Sequence, residues 1–165
     1  MTRGKLSTIV TLGLAASLAA GVAAARRQAP AAEQELRAEA EKFAAGWNHA
    51  DGKAIAALFA EDADLINPFN HSAKGRAGIE KFFADELSTM TKGTTFAVKS
   101  LTARMIRPDL AFEDLEVEIS GGAFPPDKPL DNHAFLVSRK QGGHWHILAL
   151  RAYSFAPPPA PPAKQ

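Results

Sequence analysis

The sequence predicts an α+β domain in which three N-terminal helices pack on a strongly curved, mostly antiparallel sheet. Three observations carry this. Apolar residues recur at three- and four-residue spacing from Glu33 to Trp47. Beyond Thr94 the pattern changes to long alternating runs. The breaks between runs are rich in Gly, Pro, Asn and Asp, the residues that turns require. A sheet curved around a helix leaves a hollow, and a hollow is where a small molecule binds.

The first 25 residues read as a bacterial export signal. Arg3 and Lys5 precede an apolar run from Leu6 to Leu18, and Ala23-Ala24-Ala25 offers small residues for cleavage. Arg26 and Arg27 directly after that point keep an uncleaved membrane anchor open as the rival reading. Residues 26–32 form an Ala/Pro linker, 33–155 the domain, and 156–165 a Pro/Ala tail that the composition predicts to be extended and disordered. The chain has no cysteine, which excludes disulfides, thiolate-bound metal and a Cys nucleophile. Of 165 residues, 19 are basic and 18 acidic; without Arg3 and Lys5 the balance is 17 against 18. No basic cluster stands out beyond Arg26-Arg27, so nucleic acid is not an expected partner.

Within the domain, Leu36, Ala40, Phe43, Ala44 and Trp47 give the first helix one apolar face. Asp51-Gly52 breaks it, and Asp51 caps a second helix expected over Lys53–Phe59. A short strand over Ala63–Asn67 is stopped by Pro68, and Asn70-His71-Ser72 turns the chain into a return strand at Ala73–Gly75. Arg76–Met90 is the third helix, with Ile79, Phe82, Phe83 and Leu87 on one face. Long strands are expected over Thr94–Ile106 and Leu110–Ser120, then a hairpin of Asn132–Lys140 and His144–Phe155 around Gln141-Gly142-Gly143. In the second of these strands the apolar phase slips between Phe112 and Leu115. A β-bulge near Glu113-Asp114 would account for the slip.

The stretch ALFAEDADLINP followed by KGRAGIEKFF resembles the nuclear-transport-factor-2-like superfamily. W-N-x-x-D at Trp47–Asp51, R-P-D-L-A at Arg107–Ala111 and G-G-x-W-x-I at Gly142–Ile147 extend the likeness and place it nearest the SnoaL-like branch and the SgcJ/EcaC group. The resemblance implies a cone-shaped fold, commonly paired into homodimers through the outer sheet face. It implies no particular chemistry, since the fold hosts isomerases, cyclases, hydrolases, dehydratases and binders. In the ketosteroid isomerases a carboxylate base precedes the proline of the first strand and a tyrosine on the first helix stabilises the oxyanion. Here those positions are Asn67 and Phe43, which can neither take a proton nor donate one. That mechanism is not expected.

Trp47, Phe69 and Phe82 are candidates for an apolar lining. Asn67 is either a polar anchor facing the hollow or the cap of the following turn. His133, on a strand with Phe135 and Val137, is the histidine expected to look inward. Asp114, at the suspected bulge where SgcJ/EcaC relatives often carry histidine, is the candidate base. Arg151, in phase with Trp145, Ile147 and Tyr153, would be its partner, an arrangement similar to that of the epoxide-hydrolase branch. The alternative for Asp114 is a solvated acidic strand face shared with Glu113, Glu116 and Glu118. His144 and His146 share a strand face, but no third ligand completes a metal site. The sequence-based expectation is therefore an exported, periplasmic or secreted domain that binds a small, largely apolar molecule without cofactor or metal. The alternatives are a metal-independent acid/base enzyme using Asp114 or His133 with Arg151, and a protein-interaction or dimerisation domain.

Overall fold

A computed structural model describes residues 31–125 and 128–155. The expected leader, residues 26–30 of the linker and the C-terminal tail lie outside the described residues. Residues 31–48 form α1, so the helix already includes the last two residues assigned to the linker. Then follow α2 (Gly52–Ala56), β1 (Phe59–Ile66), β2 (Ser72–Lys74), α3 (Gly75–Ser88), β3 (Thr94–Arg107), β4 (Leu110–Gly121), β5 (Leu130–Gln141) and β6 (His144–Tyr153). The six strands form one sheet in the order β2-β1-β6-β5-β4-β3, antiparallel throughout except for the parallel β1–β6 pair.

The W-N-x-x-D motif is a set of three clamps. The Trp47 indole N–H donates to the Thr94 hydroxyl at 2.9 Å. The Asn48 side chain accepts from Phe96 N–H (2.7 Å) and donates to Phe96 C=O (3.1 Å), fastening α1 to β3. Ala50, at φ +54°, ends the helix in the left-handed region, and Asp51 Oδ1 then accepts from Ala54 N–H at 2.8 Å to start α2.

The second helix is shorter than its sequence suggests. Phe59 was expected in it but opens β1, fully buried and in register with Ile147 of β6. The adjacent Leu58 C=O accepts from Ile147 N–H, and Phe59 C=O accepts from the Arg76 guanidinium, so tertiary partners outweigh local helical pattern. Phe59, Ile55, Ile79 and Leu65 centre the main core between the helices and the inner sheet face. A smaller cluster of Leu36, Ala111 and Trp145 closes the end near the start of α1. There Glu35 accepts from the Trp145 indole N–H at 2.8 Å and pairs with Lys140.

The bulges are not where the sequence suggested. β4 pairs residue for residue with β5 from Leu110 to Ile119, with no irregularity at Glu113-Asp114. Single extra residues are Lys99 and Ile106 in β3 and Leu148 in β6, and β1 shifts register against β6 between Phe59 and Asp64. Each bulge reverses which side chains face the core beyond it. In β3 the inner row runs Phe96, Val98, then Leu101 and Ala103, so the strict alternation that would put Ser100, Thr102 and Arg104 on the side of Phe96 is broken at Lys99.

Candidate functional site

Between the helices and the inner sheet face lies a cavity of about 110 Å³, room for a ring-sized ligand or several waters. α1 contributes Phe43 and Trp47, α3 contributes Phe82 and Phe83, and β3 contributes Phe96. These rings pack on one another at centroid distances of 5.2–6.4 Å. β4, β5 and β6 supply the opposite wall through Leu115, Val117, Ala134, Leu136, Ile147 and Leu150. Phe69 and Phe82 line the cavity as the sequence led us to expect, Phe69 while half-exposed.

Asn67 caps the turn and also borders the cavity, with both ends of its amide bonded within the protein. Its Oδ1 accepts from Phe69 N–H and His71 N–H at 3.0 and 2.9 Å, capping the turn after Pro68. Its Nδ2 donates to Glu86 Oε1 of α3 at 3.1 Å, and Asn67 and Glu86 both line the cavity.

The expected catalytic trio does not enter. Asp114 is exposed on the outer sheet face, because an unbroken β4 alternation places it opposite the inward row. Arg151 is outward as well, because the bulge at Leu148 shifts the inner row of β6 from Trp145 and Ile147 to Leu150 and Ala152. Its guanidinium pairs with Asp64 of β1 at 2.7 Å. Asp114 and Arg151 flank Phe135 in one cross-strand row, two strand spacings or roughly 10 Å apart. His133 borders the cavity, but its ring sits on the outer row with Phe135 and Val137, stacked on Tyr153 at 5.6 Å and edge-on to Phe155 at 4.6 Å. The inner row of β5 is instead Asn132, Ala134, Leu136 and Ser138. His144 is exposed and His146 half-buried, and no cluster of three metal-ligating side chains occurs among the described residues.

Glu113, expected on a solvated acidic face, instead turns into the cavity, because the unbroken alternation of β4 puts it in the inner row. It occupies the inner row of β4 between Ala111 and Leu115, is 3% exposed, and its Oε1 has no hydrogen-bond partner. Burial pushes its pKa up to about 7; a hydrogen bond with the Ser138 hydroxyl opposes the rise, and the Glu39 charge on α1 adds to it. Glu39 also lines the cavity and pairs outward with Lys42 at 2.8 Å. The sequence carried a signal for this residue: stepping back by twos from Ile119 gives Val117, Leu115, Glu113 and Ala111. Glu39 and Ser138 had no comparable signature.

A helix-backed, strongly bent sheet enclosing such a cavity is the nuclear transport factor 2-like, or cystatin-like, class of fold. The family model for the SnoaL-like domain matches residues 40–145, and the chain belongs to that family. A search of curated proteins finds no match. Among solved structures, a domain of unknown function with a cystatin-like fold from Nostoc punctiforme shares 24% identity at TM-score 0.67, covering 76% of this chain and 78% of its own. A nuclear transport factor 2-like protein of unknown function from Pseudomonas putida shares 22% at TM-score 0.66, covering 75% and 87%. A Novosphingobium aromaticivorans protein, named provisionally as a scytalone dehydratase, shares 17% at TM-score 0.65, covering 77% and 86%. At these identities the likeness is one of fold.

Proposed function

We propose that this chain is an exported binding module whose cavity holds a small, largely apolar molecule, with Glu113 rather than Asn67 as the principal polar anchor. The observation that carries this is the cavity itself: an aromatic and aliphatic lining interrupted at depth by one buried, partly unpaired carboxyl group. Ala134 lies in the middle of the inner row of β5, so Ala134→Trp fills the space with apolar bulk. Binding of the neutral single-ring ligand 2-phenylethanol, followed by calorimetry, should fall at least tenfold in that variant; unchanged binding would refute the cavity as the site. Export rests on the Arg3–Ala25 pattern, and protein recovered from the periplasm should begin at Arg26. Recovery of the intact N-terminus from the membrane fraction would contradict it.

A second reading, metal-independent acid/base catalysis, now depends on Glu113. A carboxyl group poised near neutral pH inside an apolar cavity suits proton transfer. It requires turnover that disappears in Glu113→Gln and persists in Asp114→Asn and Arg151→Lys.

The outer sheet face supports pairing of two copies. Phe112 and Phe135 pack at 5.4 Å, Arg104 lies over the Phe112 ring, and Asp114 and Arg151 stand on either side of Phe135 in the same row, so a two-fold axis can set opposite charges against each other. Sedimentation should show a dimer that Phe135→Asp converts to monomer; a monomeric wild type would refute it.

A further inference from the structure

The charged residues of the cavity are all acidic. Among the described residues Glu39, Glu86 and Glu113 line it, and no lysine or arginine does. Glu86 is occupied by the Asn67 amide, with His71 Nδ1 at 3.6 Å, and Glu39 is paired with Lys42. Glu113 is different, with one carboxyl oxygen buried, facing the cavity and without a partner. No lysine or arginine among the described residues lines the cavity beside it, and Arg37 of α1 donates instead to Leu101 C=O of β3 at 3.4 Å. β3 places Ala103 beside it, β5 places Leu136 and Ser138, and the titratable group bearing on it is Glu39 of α1, itself an acid.

A buried carboxylate is costly unless a positive charge or several donors meet it. An anionic ligand would add another negative charge in a poorly screened space. A neutral ligand could offer one hydrogen bond but would leave the repulsion between Glu39 and Glu113 in place. A cation relieves both, and aromatic faces attract cations as well as apolar rings.

Building on the binding-module reading, we propose that the cavity selects a lipophilic amine: an apolar ring seated against Phe43, Trp47 and Phe82, with its ammonium group at Glu113 and Glu39. Binding then requires ionised Glu113. With its carboxyl pushed up to about 7 in the empty protein, amine affinity must rise with pH through that region. A ligand that accepts a hydrogen bond from the protonated carboxyl would show the opposite slope.

The test is calorimetric titration of the full chain with 2-phenylethylamine, 2-phenylethanol and phenylacetate at pH 6 and pH 8. The amine should bind most tightly, and about tenfold more tightly at pH 8 than at pH 6. Phenylacetate should not bind. In Glu113→Gln the amine should lose at least tenfold in affinity together with its pH dependence. If the alcohol matches or exceeds the amine, or the amine tightens toward pH 6, the amine proposal is wrong and the apolar-cavity reading survives. If phenylacetate binds best, the charge argument is wrong. If none of the three binds, both readings fall.

Discussion

Glu113→Gln should stabilise the protein at pH 8 by on the order of 3 kcal/mol, and by little at pH 4. The folded state holds this carboxyl near 7, against 4.5 for an ordinary glutamate. Below about pH 4.5 the group is protonated in both states and costs nothing. Between 4.5 and 7 the unfolded chain releases the proton while the folded chain retains it. The folded state then binds more protons, and stability declines as pH rises. Above 7 the folded protein carries a buried carboxylate and the loss is complete. Glutamine has nearly the same shape and does not titrate, so the difference between the two urea midpoints isolates this one group. Parallel pH profiles for wild type and variant would mean that Glu113 is not buried as described. A bound amine would reverse the loss in the wild type alone, which joins the stability and ligand predictions at one side chain.

Gly52→Ala should cost about 2–3 kcal/mol, through contact rather than conformation. Gly52 begins α2 where that helix crosses α3. A Cβ there would lie 2.8 Å from Ala84 N, 3.1 Å from Glu80 O and 3.2 Å from Phe83 C, all backbone atoms that cannot rotate away. The two helices must separate, which loosens Phe83 and with it one wall of the cavity. Gly78 is the internal control: it lies in α3, and nothing is within 4 Å of its Cβ position. Gly78→Ala should stabilise by up to about 1 kcal/mol through helix propensity. Thermal melts of the two variants should move in opposite directions. A neutral Gly52→Ala would show that α2 does not sit this close to α3.

Both predictions depend on where side chains point, which is also where the sequence was least legible. The order and type of elements could be read directly, because the periodicity changes clearly after Thr94 and turn residues mark each break. The aromatic lining was legible too, since Trp47 and Phe82 lie on helix faces whose phase the spacing fixes. The strand interiors were another matter. A single extra residue turns a strand over, and the sequence of β3 or β6 does not mark Lys99 or Leu148 as extra. Assigning the bulge to β4 exchanged Glu113 for Asp114, and omitting it from β6 brought Arg151 inward on paper. Phe59 shows the same limit in a helix, where pairing with Ile147 decides a residue that local pattern assigns otherwise. The motifs that revealed the family (Trp47-Asn48, Asp51, Arg76) turn out to hold the elements together, which is why they identify a fold and say nothing of its ligand.

The most direct test is to watch Glu113 titrate. In protein carrying ¹³C at glutamate side-chain carboxyls, the resonance that vanishes in Glu113→Gln identifies the group. In the ligand-free protein its midpoint should lie near pH 7, and adding 2-phenylethylamine should move it down toward the ordinary carboxylate range. A midpoint close to 4.5 in the ligand-free protein would place Glu113 in water and contradict the site described above.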